Sequence, residues 1–470
     1  MIKKLFLLVV VVSLFSCKDE ISDEKSFNAY VNEWIYANMD GIYYWNKDLP
    51  AYKKNYNDPE AYFETLLHSE DRFSAIFDDY EALMNRLTGV SPAEVGFDYK
   101  LYRESSSNEN VLCVVSYTKP STDASTQGVQ RGDMIHRINN TLLTMSNYQQ
   151  LLEAFTDQTA TVKLGFAEYS GGSVIHSGSK TLTKATNYIE NPIYLDTVYT
   201  VGNKKIAYLV YNFFTGDPGD ESLSYDLELN SIMGHFEAQG VSELIVDLRY
   251  NSGGMMSSAV HLGSMLVPDL QNGKIFSYTE YNKNLTDYFN SAEYKKQYSG
   301  NPFEEYFTTT IAAGKSQVPV HSLGSRLQRI FFLTGNSTAS ASEMVINGLK
   351  PYLPCVLIGD VTYGKNVGSV VVNDEENPKN KYAFMPIVLK YFNKDRKSDF
   401  STGFVPDYET DDDFDHLLGD TDETLLATAI AKINGSQAPA KLPSWSVSPK
   451  AVEELPGRAV RGLIIKAPHK

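Results

Sequence analysis

The chain has 470 residues, 42% of them apolar and 12% aromatic, with 31 tyrosines, 23 phenylalanines and only 19 prolines; it can bury several cores and is not a largely disordered polymer. Its 58 acidic and 42 basic residues give a net charge of -16, which repels a polyphosphate backbone and excludes a dedicated nucleic-acid partner.

Residues 1–16, MIKKLFLLVVVVSLFS, open with Lys3 and Lys4 and continue in an apolar run too short to span a bilayer comfortably, the pattern of a secretion signal. The run ends in Leu14-Phe15-Ser16-Cys17, which resembles the lipobox of bacterial lipoproteins; the resemblance implies cleavage before Cys17 and lipid attachment at that residue. Loss of Lys3 and Lys4 leaves 40 basic against 58 acidic residues, a charge of -18. Lys18-Asp19-Glu20 looks like the acidic export tag of some Bacteroidetes lipoproteins, so the expected location is the cell envelope, lipid-anchored at the outer membrane. Residues 17–26 read as a polar tether. Cys113 and Cys355 lie in apolar, strand-like stretches and read as buried free thiols, with no disulfide framework or Cys-rich metal site.

Residues 27–87 carry Val31, Trp34, Ile35 and Met39 at helical spacing, which predicts a small helical domain built for packing. Residues 88–185 change to short strands separated by Gly, Ser, Asn and Asp. Within them, Gln127-Gly128-Val129-Gln130-Arg131-Gly132-Asp133-Met134-Ile135-His136-Arg137-Ile138-Asn139 sets a glycine turn before an alternating strand. This run resembles a signature segment of PDZ domains, and Val95-Gly96-Phe97 falls where such domains keep a carboxylate-binding loop, matching it in part. The resemblance implies an inserted PDZ-like domain that takes a peptide terminus by strand addition.

Residues 190–434 alternate strands and helices, with strands predicted at Lys205–Phe214, Glu243–Arg249, Arg329–Thr334 and Cys355–Ile358; the fold class expected is mixed α/β (α+β) and multi-domain. Three turns follow apolar strands there. Asp247-Leu248-Arg249-Tyr250-Asn251-Ser252-Gly253-Gly254 precedes an apolar helical stretch, Met255–Val267, and its paired glycines leave backbone N–H groups near a helix start, where an oxyanion is stabilised. Thr338-Ala339-Ser340-Ala341-Ser342-Glu343 sets Ser340 on a strand-to-helix turn, exposed to the helix field as a nucleophile or, more simply, a cap. In Gly359-Asp360-Val361-Thr362-Tyr363-Gly364-Lys365-Asn366 a phosphate-binding loop is nearly spelled, but Asn366 replaces the required hydroxyl, Asp360 adds negative charge, and strand-like residues 367–372 follow. Lys365 among Val361, Tyr363 and Val367 is better suited to a general base whose amine is neutral because it is buried. Residues 435–470 hold four prolines before Gly457, show no periodicity and read as a peripheral tail.

Together these runs resemble the C-terminal processing (tail-specific) serine peptidases, in which a DLRxNxGG turn precedes a TASASE turn and a TxGK lysine 25 residues beyond the serine, the separation of Ser340 and Lys365. Lys205-Ile206-Ala207-Tyr208-Leu209 and Gly403-Phe404-Val405-Pro406-Asp407 match two further segments of that family. The resemblance implies a crotonase/ClpP-like α/β peptidase core, Ser340 as nucleophile, Lys365 as base, and an oxyanion hole from Ala341 with Gly253 or Gly254. It implies polypeptide substrates, recognition of their C-termini among them, and no metal or cofactor. One departure stands out: Gly368 occupies the place where many relatives keep a glutamine to orient the lysine. Eight histidines include none in a matching motif, and His235 and His261 read as structural. The competing reading is a peptide-binding envelope lipoprotein on the same fold without turnover, and a weaker one is nucleotide hydrolysis at Gly359–Lys365.

Overall fold

The computed structural model describes residues 23–104, 109–170, 173–437 and the backbone of 463–465. The signal, Cys17 and most of the expected tether lie outside them. The last residues assigned to the tether, Asp23–Ser26, instead form the first turn of the helix Asp23–Ile42, where two acids face the positive end of the helix.

The centre is a six-stranded sheet in the order Ile193–Val201, Lys204–Tyr211, Glu243–Asp247, Ile330–Thr334, Cys355–Gly359, Tyr408–Glu409, parallel except for the first pair. Glu243–Asp247 and Ile330–Thr334 are buried at every residue, as expected of strands covered on both faces. Helices Ser224–Ala238, Met256–Leu266 and Ala341–Leu349 pack on one face through Leu209, Val246 and Phe332, while Thr424–Asn434 covers the other through Tyr208, Ile245 and Phe331. The predicted alternation is thus a mixed α/β core. Among the described residues no helix is long and apolar enough to cross a membrane.

A second six-stranded sheet runs Gly253–Met255, Leu463–Ile465, Val367–Ser369, Ile387–Phe392, Ile275–Tyr281, Glu304–Tyr306. Leu463–Ile465 belongs to the segment read as a peripheral tail, and the structure sets it inside a sheet. The N-terminal helices share one apolar cluster with the core, where Val31, Ile35, Phe63, Val367, Phe384 and Ile387 meet, and Ala75–Phe77 pairs with Ala383–Met385.

The smaller β domain holds Phe97–Arg103, Val111–Thr118, Met134–Ile138, Thr161–Ser170 and Ser173–Thr183 in one antiparallel sheet, with its own core of Phe97, Val115, Ile135 and Phe155. Val90–Glu94 and Ala185–Ile189, where the chain enters and leaves, pair antiparallel as a stalk. Cys113 and Cys355 are free thiols, and burial pushes the Cys355 thiol up to about 12.

Candidate active site

The Asp247–Gly254 turn is held by charge. Arg249, buried at 2% exposure, pairs with Asp247 (2.8 Å), Asp412 (2.9 Å) and Glu423 (2.6 Å). Arg131, from the glycine turn of the smaller domain, reaches the same Asp412 at 2.7 Å and also donates to Tyr250 Oη. Burial pushes Asp412 up, yet Arg131 and Arg249 hold its carboxyl well below the usual carboxylate range. Removing one partner from such a buried set costs about 3–5 kcal/mol, so this network fixes both the turn and the seating of the smaller domain.

Beyond it, Asn251 docks the glycine turn onto the serine turn. Its carbonyl accepts from Ala339 N (3.1 Å) and Ser342 Oγ (3.0 Å), and its side chain donates to Tyr211 O (2.8 Å) and accepts from Gly253 N (2.9 Å). Gly253 and Gly254 have φ of 104° and 139°, and a Cβ on Gly254 would come within 2.0 Å of Phe214 O; no other residue fits there. Gly253 N–H is therefore engaged by Asn251, while Phe214 pairs with Gly253 O and Met255 N at 2.8 Å each. Backbone groups alternate sides along a strand, so Gly254 N–H faces away from Phe214.

Ser340 is the N-cap of Ala341–Leu349, at φ 61° and ψ −111°, a left-handed conformation strained for a residue with a Cβ. Ala341 begins the helix, so its N–H belongs to the helix end where orphan donors gather. Ser340 is fully buried, and its Oγ makes no hydrogen bond with any atom of the described residues. Lys365 is fully buried as well; burial lowers its amine from 10.5 to about 7, against the pull of Asp71 and Glu343 in the other direction.

The two turns are joined at their backbones by one carboxylate. Glu343 Oε2 accepts from Ser340 N and Lys365 N, each at 2.8 Å, which sets those two nitrogens no more than 5.6 Å apart. Its Oε1 accepts from Gly364 N (2.8 Å) and Thr362 Oγ1 (2.6 Å). Burial raises the Glu343 pKa and the four donors draw it back. Thr362 Oγ1 also accepts from Phe404 N at 2.7 Å, and the other three partners of Glu343 are backbone N–H donors. Tyr391 Oη lies between the carbonyls of Ser340 (3.2 Å) and Lys365 (2.8 Å). Glu343→Gln turns a donor toward one of the two donor pairs whichever way the amide is set. The expected result is a loss of about 1–3 kcal/mol in thermal or denaturant unfolding and a fall in turnover of about 100-fold.

Sequence reading missed Glu343's role, since its donors come from two turns far apart in the chain. It also missed the 71–74 loop, which packs beside the lysine. Phe73 lies under the amine, with Lys365 Nζ 5.1 Å from the ring centroid, and Arg72 donates to Gly364 O at 3.1 Å. Asp71 is itself set by Tyr43 Oη (2.7 Å) and by Phe73 N and Ser74 N (2.9 Å each). His261 joins its helix to Ser224–Ala238 by bonding Asp226 at 2.6 Å, and His235 bonds Gln239, at the end of its own helix, at 2.6 Å.

In the smaller domain, Val95 and Phe97 are buried in its core, and Gly96 N donates to Glu94 Oε1 at 3.0 Å. Glu94 pairs with Lys119 (2.8 Å), which also holds Glu190 (2.6 Å). The amide expected to hold a peptide carboxylate thus holds an internal one. A cavity of about 570 Å³ between the N-terminal helices, the smaller domain and the core is lined by Tyr117, Lys119, Glu190, Tyr250, Gly253 and Gly254, but not by Ser340 or Lys365.

Residues 205–410 match the model of peptidase family S41, and residues 30–75 match the peptidase S41 N-terminal domain, together more than half of the chain. The chain belongs to peptidase family S41. It is a hydrolase of the serine-peptidase type, and its substrates are polypeptides. A Bacteroides fragilis NCTC 9343 protein described as an S41 protease is 26% identical with a TM-score of 0.67 over 86% of this chain and 97% of that one. The photosystem II D1 C-terminal processing protease is 16% identical at a TM-score of 0.47, over 83% and 94%. Mature CPAF complexed with lactacystin is 12% identical at 0.41, over 83% and 94%.

Proposed function

We propose that this S41 peptidase is an endopeptidase of the C-terminal processing type, acting in the cell envelope through Ser340 and Lys365. The observation that carries the reading is that Glu343 clamps together the backbones of two turns, one bearing a strained, fully buried serine and the other a fully buried lysine whose amine is lowered to about 7. Ser340 Oγ attacks the scissile carbonyl and its proton passes to the Lys365 amine. The tetrahedral oxyanion is held by Ala341 N–H and Gly254 N–H, since Gly253 N–H is taken by Asn251. Lys365 returns the proton to the leaving amine, giving an acyl-enzyme that water then hydrolyses by the same route. The serine hydroxyl first turns toward the amine, a rotation that breaks no hydrogen bond.

The smaller domain is read as a PDZ-like module that presents or gates a polypeptide segment, and lipid on Cys17 as the anchor to the outer membrane. Its contact with the glycine turn through Arg131, Tyr250 and Asp412 gives it a rigid path to the site.

The test is covalent. A serine-directed phosphonate is expected to add once to the chain, with the adduct mapped to Ser340 by mass spectrometry, and casein to be cleaved. An unlabelled Ser340 with no cleavage under any added peptide would instead favour a peptide-binding protein on this fold. For the anchor, metabolic labelling with a fatty acid is expected in the wild-type chain and lost in Cys17→Ala; equal labelling of both would remove it.

A further inference from the structure

The Gly253–Met255 and Val367–Ser369 strands do not touch each other. Leu463–Ile465 lies between them, parallel to both, with Gly253 opposite Leu463, Gly254 opposite Ile464, Met255 opposite Ile465, and Ser369 opposite Ile465. One wall of this slot is the strand that carries the oxyanion glycines. The other starts two residues after Lys365. Neighbouring strands sit about 4.8 Å apart, so the two walls are about 9.6 Å apart, the width of one extended chain. Phe214 engages Gly253 O and Met255 N, so the groups of Gly254 face the slot.

A gap one strand wide with a polar backbone edge on each side recognises an extended polypeptide by main-chain hydrogen bonds. Leu463-Ile464-Ile465 is suited to it, with three apolar residues in a row of which two are β-branched. We propose that this slot is a docking site for an extended apolar segment of polypeptide, bound parallel to both walls, and that residues 463–465 are its built-in occupant. The segment faces Gly254 N–H, so substrate and occupant exclude each other there. Turnover then requires residues 463–465 to leave. This deepens the function proposed above and rests on it for the identity of the competing ligand.

The test uses the full chain. Ile464→Pro removes an N–H and fixes φ in a strand paired on both sides, which expels it. In a Ser340→Ala background, so that nothing is consumed, a fluorescent peptide of sequence RGLIIKAP is expected to bind Ser340→Ala/Ile464→Pro at least about 10-fold more tightly than Ser340→Ala by anisotropy. With Ser340 present, Ile464→Pro is expected to raise kcat/KM on casein by a similar factor. Equal affinity of the peptide for both chains, or no affinity for the proline variant with its fold intact by circular dichroism, overturns the proposal. Should Ile464→Pro not fold, Ile465→Pro, at the residue paired on both sides, gives the same reading. If the peptidase assignment itself were wrong, cleavage would be absent in both chains while the difference in peptide affinity persisted.

Discussion

Ser340→Ala is expected to lower kcat/KM on an unfolded protein substrate by about 10⁴-fold or more, and at the same time to leave the chain as stable as before or more so. The first half follows from loss of the nucleophile, since removing a member of such a unit costs on the order of 10⁴ to 10⁶ in rate. The second half follows from the burial of an Oγ that bonds to no atom of the described residues. Ser340 Oγ is set toward Glu343 N in a capping-box arrangement without a hydrogen bond, so alanine removes a buried hydroxyl that costs about 1–3 kcal/mol unpaired and gives up only that arrangement. Alanine keeps the backbone clamps, which involve Ser340 N and O and not its side chain. A serine that merely capped the helix would behave in the opposite way: its loss would cost about 1 kcal/mol of stability and leave turnover intact. Denaturant unfolding and casein hydrolysis on the same two proteins separate the cases. Turnover within tenfold of wild type, or a stability loss above about 1 kcal/mol, would defeat the assignment of Ser340.

The fold of the core was legible because its strands are continuous apolar runs ended by small or polar turns. Glu243–Asp247, Ile330–Thr334 and Cys355–Gly359 fall within a residue or two of their expected positions. The predicted strand over 367–372 divides, since Val367–Ser369 pairs with Ile387–Phe392 whereas Val372–Asn373 turns to Ala383–Met385. Strand partners lie elsewhere in the chain, and a local pattern does not contain them. The same reason hid Leu463–Ile465: three residues carry no periodicity, and their order comes wholly from the two strands beside them. At the site, Ser340, Lys365 and the glycine turn were visible as small or polar residues after strands, and the roles expected of them came from the family resemblance. Glu343 was visible as a residue of the serine turn, but its hold on Gly364 and Lys365 was not. Asp71 and Asp412 reach the site from opposite ends of the chain, and nothing in their own neighbourhoods distinguishes them from surface acids.

Lys365→Arg is expected to abolish turnover at every pH, although it keeps a positive charge and a long side chain. A guanidinium does not deprotonate in a protein, so it offers no lone pair to the serine proton, and a fall of about 10³-fold or more is expected. The wild-type amine, brought to about 7 mainly by burial, is half neutral near pH 7. Phosphonate inactivation of the wild type should therefore slow about tenfold per pH unit below 7 and level off above it, since the neutral amine is the active form. Folding is linked to the same proton. The folded value lies below the unfolded one, near 10.4, so the unfolded chain binds more protons between them and this group adds stability as pH rises from about 7 toward 10. Asp71 raises the Lys365 pKa by its negative charge, so Asp71→Asn should move the acid limb of the inactivation profile to lower pH while the plateau persists. A structural role for Asp71 alone would lower stability without moving that limb. A flat profile between pH 6 and 8 in the wild type, or measurable turnover by the arginine variant, would show that the proton goes elsewhere.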